Sequence, residues 1–108
     1  MTHQATVTVV NGQVQVNDAK LKPKDKPATL TWTMGTAGYQ FTTIGIAFTN
    51  NTGQFTSPTR ASDGLTFTWQ DANTDLLTYN YNIAVQLGNQ PHGILRLDPA
   101  VENGGLSP

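Results

Sequence analysis

Cysteine is missing from all 108 residues, which removes disulfide frameworks, iron–sulfur clusters, thiolate zinc sites and cysteine nucleophiles in one step. Charge of either sign is sparse: six Lys and Arg stand against seven Asp and Glu, a net charge of −1. No basic field can neutralise a run of phosphates, the interaction on which nucleic-acid affinity mostly rests, so DNA and RNA are not expected partners. No apolar run approaches the roughly 18 residues of a membrane span, and the start, Met-Thr-His-Gln-Ala-Thr-Val, lacks the regions of a secretory signal. A cytoplasmic protein with no membrane partner is the expectation. No window repeats its apolar side chains every 3.6 residues or so, and no substantial helix is expected.

What the chain has instead is alternation. Leu77, Tyr79, Tyr81, Ile83, Val85 and Leu87 take every second position of one run, with Thr78, Asn80, Asn82, Ala84 and Gln86 between them. Successive side chains of a β-strand point to opposite faces, so this is a long strand with one apolar and one wet face. Val7 and Val9 alternate with Thr6 and Thr8, Asn11-Gly12 supplies the two positive-φ residues of a tight hairpin, and Val14 and Val16 return the chain. Leu30, Trp32 and Met34 form another strand, as do Leu65, Phe67 and Trp69. In the stretch from Tyr39 to Thr49 the apolar parity switches between Phe41 and Ile44, which a β-bulge near Thr43 or Gly45 resolves.

The remaining segments read as connections. Phe55 with Ser57-Pro58 marks a crossing segment with a short edge strand, Asp71 to Asp75 a loop, and Gly88 to Gly93 a turn into Ile94 to Leu97. Asp98-Pro99 opens the tail as an N-cap and first helical residue, predicting one helical turn through Glu102, closed by Asn103-Gly104. Lys20, Lys22, Lys24 and Lys26, broken by Pro23 and Pro27, read as a solvated connector or a guarded sheet edge. Turn signals every ten to fifteen residues or so, with seventeen threonines, predict one all-β domain over residues 1–108: an antiparallel two-sheet sandwich of about seven or eight strands.

Tyr79-Asn80-Tyr81-Asn82-Ile83-Ala84-Val85, followed by Leu97-Asp98-Pro99-Ala100-Val101-Glu102-Asn103-Gly104, resembles the carboxyl ends of a group of small uncharacterised bacterial proteins. The resemblance covers about the last quarter of the chain. It implies a sandwich of immunoglobulin-like or cupredoxin-like shape, and it brings no activity and no functional residues. A blue-copper site in particular needs a Cys thiolate and two His, and only His3 and His92 are present.

Chemical constellations are weak. Asp71-Ala72-Asn73-Thr74-Asp75 has the alternate oxygen ligands that begin a calcium loop, but Leu76 stands where Gly is needed and Asn82 where Glu is, so it is read first as a turn, with weak cation binding as the alternative. Ser57, Ser62 and Ser107 lack a nucleophile elbow, and the internal base, His92, lies in a turn-like Gly-Asn-Gln-Pro-His-Gly stretch. No carboxylate pair is recognisable as acid and base, so no enzyme, metal or cofactor is expected. Trp32, Trp69, Tyr79 and Tyr81 share parity with aliphatic neighbours and are assigned to the core, each Tyr hydroxyl reaching a rim or a buried partner. Thr-x-Thr at Thr6/Thr8, Thr29/Thr31/Thr33 and Thr66/Thr68 is ordinary solvent-facing strand sequence; irregular spacing and sheet twist count against an ice-binding ladder. The function left is a non-catalytic binding or assembly module, engaging a protein partner or a second copy as a homodimer. Tyr39, Phe41 and Phe55 are its candidate contact residues, and a carbohydrate-binding accessory domain is the alternative.

Overall fold

The computed structural model describes residues 2–18, 20–23, 27–88 and 90–103, with the backbone alone at 2, 20 and 90–93. Among them are ten strand segments and no helix, hence none long and apolar enough to cross a membrane. One sheet is built from β1 (Thr2–Val10), β2 (Gln13–Val16), β4 (Ala28–Met34), β6 (Phe55–Arg60) and β7 (Thr66–Asp71), in the order β2-β1-β4-β7-β6. The other contains β3 (Lys20–Leu21), β10 (Ala100–Glu102), β8 (Thr78–Leu87) and β5 (Tyr39–Phe48) in that order, with β9 (Gln90–Leu97) also paired to β8. Pairing is mostly antiparallel, as expected, but β1 runs parallel to β4 and β10 parallel to β3.

β9 and β10 follow one another along the same side of β8. Leu97 lies opposite Ile83, the Tyr81 N–H donates to the Pro99 carbonyl at 3.0 Å, and Ala100 lies opposite Asn80. Counted as one interrupted strand they bring the ten segments to nine, above the expected seven or eight. The predicted helical turn after Asp98-Pro99 is therefore not formed. Val101, fully buried, pairs with Tyr79 on one side and Leu21 on the other, and this tertiary pairing overrides the local capping preference. His92 likewise belongs to β9 and not to a turn. Lys20 and Leu21 form a short sheet edge, while Lys24 and Lys26 lie outside the described residues, as do Gly104 and Ser107.

Hairpin and parity readings hold along most of the chain. Asn11 and Gly12 have φ of 53° and 75°, and Val10 pairs with Gln13 across the two-residue loop. Val7, Leu30 and Trp32 meet Phe41, Ile46, Tyr81, Ile83 and Val85 in one core shared by both sheets, every one of them essentially excluded from solvent. At its centre the Trp32 indole N–H donates to the Tyr81 hydroxyl at 3.0 Å, with the rings edge to face at 5.2 Å. Burial of the phenol pushes the Tyr81 pKa up to about 12, although the Trp32 bond opposes that shift.

Three expectations fail in instructive places. Leu77 and Leu87, read as core, are exposed: Leu77 precedes the first pair of β8, and Leu87 closes its far end. Leu65 is exposed for the same reason, one residue before β7. The threonine runs, irregular in sequence, nonetheless align across the sheet: Thr33 lies between Thr6 and Thr66, and Thr31 pairs with Thr68, which faces Thr59.

A candidate binding groove between two sheet edges

β5 and β6 are the end strands of the two sheets on the same side of the molecule, and both are irregular. Between Phe41↔Val85 and Ile46↔Ile83, β5 advances five residues while β8 advances two, so three extra residues are extruded. The parity switch correctly located this bulge, which is wider than the one-residue insertion that would have sufficed. Gly45 closes it: a Cβ there would stand 2.7 Å from Phe41 Cβ, so no other residue fits without displacement. On β6, Thr56↔Gln70 and Thr59↔Thr68 leave one extra residue, with Ser57 at φ 58° and Pro58 beside it.

These bulges flank a groove of about 310 Å³. Thr43, Ile44, Ile46 and Ala47 line it from β5, Pro58 and Arg60 from β6, and Phe67 and Trp69 from β7. Because the bulge rotates the chain, Ile44 turns outward and is 72 % exposed, the most exposed large apolar side chain among the described residues. Parity had grouped it with Ile46 and Phe48, and nothing local in the sequence distinguishes it from them. Trp69 is half-buried on the groove wall; its indole N–H donates to the Ile46 carbonyl at 2.8 Å and its ring meets Phe48 edge-on.

Hydrogen bonds close much of the outer edge of β5. Arg60 donates from Nε to the Phe41 carbonyl at 2.9 Å and from Nη2 to Gln40 Oε1 at 3.2 Å, and the Phe41 N–H donates to the Gly64 carbonyl at 2.8 Å. Together with the Trp69 bond they occupy backbone groups that would otherwise template another strand. The edge of β6 carries its own protection in Pro58 and its bulge, and β3 is only two residues long. What the region presents is thus apolar side-chain surface rather than an open ladder. The groove holds one hydroxyl, on Thr43, and the Arg60 guanidinium already engaged with β5. A second groove of about 270 Å³ lies where β2 meets β9.

The residues singled out as contacts lie elsewhere. Phe41 is completely buried and Phe55 is 2 % exposed, so neither can touch a partner. Phe55 stacks on Phe48 with centroids 3.6 Å apart and meets Tyr79 edge-on, which makes it a core residue despite its short edge strand. Tyr39 is half-buried and packs against the core opposite Leu87. The four aromatic residues assigned to the core are buried, Trp69 excepted.

The Asp71 to Asp75 segment is more than a solvated turn. Asp71 is the last residue of β7 and is fully buried, as is Asn73, whose φ is 55°. The Asn73 N–H donates to Asp71 Oδ1 at 2.9 Å, and its side-chain amide donates to the Pro23 carbonyl at 3.1 Å. Burial raises the Asp71 pKa to about 6, against the Asn73 bond and the neighbouring Asn103 amide, which favour the charged form; Asp75 adds to the rise and His3 opposes it. Asp75 is also partly desolvated, but bonds from Tyr79, Leu77 and Asn103 outweigh that and hold its carboxyl below the usual range. Tyr79 donates to Asp75 Oδ2 at 2.6 Å and takes part in a second bond, with Thr52, at 2.8 Å. Among the described residues no group of three or more His, Cys, Asp or Glu is placed to hold a metal.

Compared with models of protein families and with curated proteins, the chain gives no match.

Proposed function

We propose that this chain is a non-catalytic binding and assembly module, a sandwich of immunoglobulin-like or cupredoxin-like shape that pairs with a second copy of itself across the β5–β6 groove. The resemblance of its tail to small bacterial proteins belongs to the same reading. One observation carries the proposal: Ile44, 72 % exposed, stands at the lip of an apolar groove that is large enough to receive it. Scattered exposed apolar residues need no explanation, but a protruding one beside an apolar recess is a self-complementary pair. A two-fold axis uses such a pair twice, each Ile44 entering the other subunit's groove, and burying each one contributes about 1.5–3 kcal/mol. A net charge of −1 leaves little repulsion between copies. Since Arg60 and Trp69 occupy the β5 edge, side-chain packing supports the contact and strand addition does not.

Sedimentation velocity from micromolar to millimolar protein tests this. A monomer–dimer equilibrium that Ile44→Asp abolishes, with an unchanged melting temperature, is the expected result. A monomer throughout overturns the assembly reading. Trp69 on the groove wall is the observation that favours a carbohydrate ligand instead; sugar-induced changes in tryptophan fluorescence from a chain that stays monomeric would move the assignment there.

A further inference from the structure

The outer face of the β2-β1-β4-β7-β6 sheet lies apart from the β5–β6 groove, and strand pairing gives it a regularity that the chain order disguises. Thr6, Thr33 and Thr66 form one row across β1, β4 and β7. The next row is Gln4, Thr31, Thr68 and Thr59, reaching β6. A third sets Thr29 opposite Gln70 and Gln70 opposite Thr56. Neighbours within a row stand about 4.8 Å apart and rows follow at about 6.7 Å, the spacings of paired strands and of alternate residues along them. Solvent faces ordinarily mix charges of both signs among their polar residues, yet no described strand residue on this face is charged or aromatic. Beyond Thr33 the chain places Gly35, where a Cβ would stand 2.8 Å from the Thr6 methyl and 3.2 Å from the Thr8 methyl, so nothing projects over the array there. Thr29 Oγ1 donates to Gln70 Oε1 at 3.1 Å, whereas the hydroxyls of Thr6, Thr31, Thr33, Thr66 and Thr68 have no partner among the described residues.

We propose that this face binds ice. Identical groups at fixed spacings act together only on a ligand whose own groups recur in step, which selects an ordered solid over a single small molecule. Without charge the face offers nothing to a polyanion or a lipid headgroup. Without an aromatic ring it lacks a platform on which a sugar stacks, and without Trp, Tyr or Arg it lacks the usual anchors of a protein partner. Its free hydroxyls are satisfied by water, and the sheet holds that water in the rows of its threonines. An ice surface presents hydrogen-bonding oxygens at regular intervals and can continue those rows, while each Thr methyl restricts where the held water sits. Adjacent strands rotate by about 20–25°, so flush contact is confined to the centre of the face, around Thr31 and Thr33, and the effect requires high protein concentration.

The test is the gap between the melting and growth temperatures of a single ice crystal in millimolar protein. The expected result is a measurable gap in the wild type that Thr33→Lys, which raises a long charged side chain at the centre of the array, abolishes. Asn80→Lys, on the exposed face of β8 in the other sheet, should keep the gap, and both variants should unfold at the wild-type temperature, since both positions are exposed. Thr6→Lys, exposed in the same row, gives the same comparison should Thr33→Lys fail to fold. No gap at millimolar protein would overturn the proposal. A gap that Thr33→Lys and Thr6→Lys both retain would overturn it equally, because ice would then meet another surface. Retention on crystalline cellulose that Thr33→Lys removes, in a chain that leaves ice growth unchanged, would overturn it in favour of a polysaccharide.

Discussion

β8 and β5 lie side by side in one sheet, each ten residues long, and they differ in almost everything else. β8 is paired on both sides, and from Tyr79 to Val85 its alternate residues are 3 % exposed or less. β5 ends the sheet, breaks register between Phe41 and Ile46, and turns Ile44 out to solvent within two residues of the buried Ile46. A strand held by two neighbours has no freedom to shift phase, so its apolar parity states its facing. An end strand can extrude residues into open space, and here the extruded residues build the groove.

Charge substitution separates the two faces of β8 most sharply. Tyr81→Asp places an unpaired charge against Trp32 and is expected to unfold the protein, whereas Asn80→Asp, on the exposed face, should change stability by less than about 0.5 kcal/mol; urea denaturation measures both. On β5 the same contrast appears without alternation. Phe41→Ala should cost about 3–5 kcal/mol and Ile44→Ala close to nothing in the monomer, although Ile44 keeps the parity of the buried Ile46. Equal costs at these two positions would remove the bulge from the description.

Alkaline pH tests the buried hydroxyl of β8. The Tyr81 pKa is about 12 in the folded chain and about 10 when unfolded, so between those values the unfolded state has lost the proton that the folded state keeps. The stability contributed is fully present below pH 10 or so and falls as pH rises toward 12, by about 1.4 kcal/mol per unit at most. Urea midpoints that decline more steeply in the wild type than in Tyr81→Phe over that window are the expected outcome. Gly45→Ala is expected to cost about 1–3 kcal/mol, because the added Cβ meets Phe41 at 2.7 Å and the bulge must give way.

How much was legible follows from the same physics. Strands held on both sides, such as β4 with Leu30 and Trp32, are written in alternation, and the Asn11-Gly12 turn is written in backbone preference. Parity overran where pairing stops: Leu77 keeps the phase of Tyr79 yet sits before the first pair, its N–H held by Asp75. Phe55 looked free because its strand is short, yet Phe48 stacks on it from the opposite sheet, a contact no local pattern encodes. The same limit hid Asn103, which reaches Asp75 and Gln54 only through the fold. Of the groove, the sequence carried the bulge and its glycine; the outward turn of Ile44 and the capping of β5 by Arg60 required coordinates.

Amide NMR across a concentration series addresses the groove most directly, because it reads location as well as association. Ile44 and its groove predict shifts that grow with concentration at Thr43 to Ala47, Thr59, Arg60 and the Trp69 indole N–H, which sits on the Ile46 carbonyl, with Asn80 and Glu102 unchanged. Shifts gathered on another face of the molecule, or a spectrum identical from micromolar to millimolar protein, would contradict assembly through this groove.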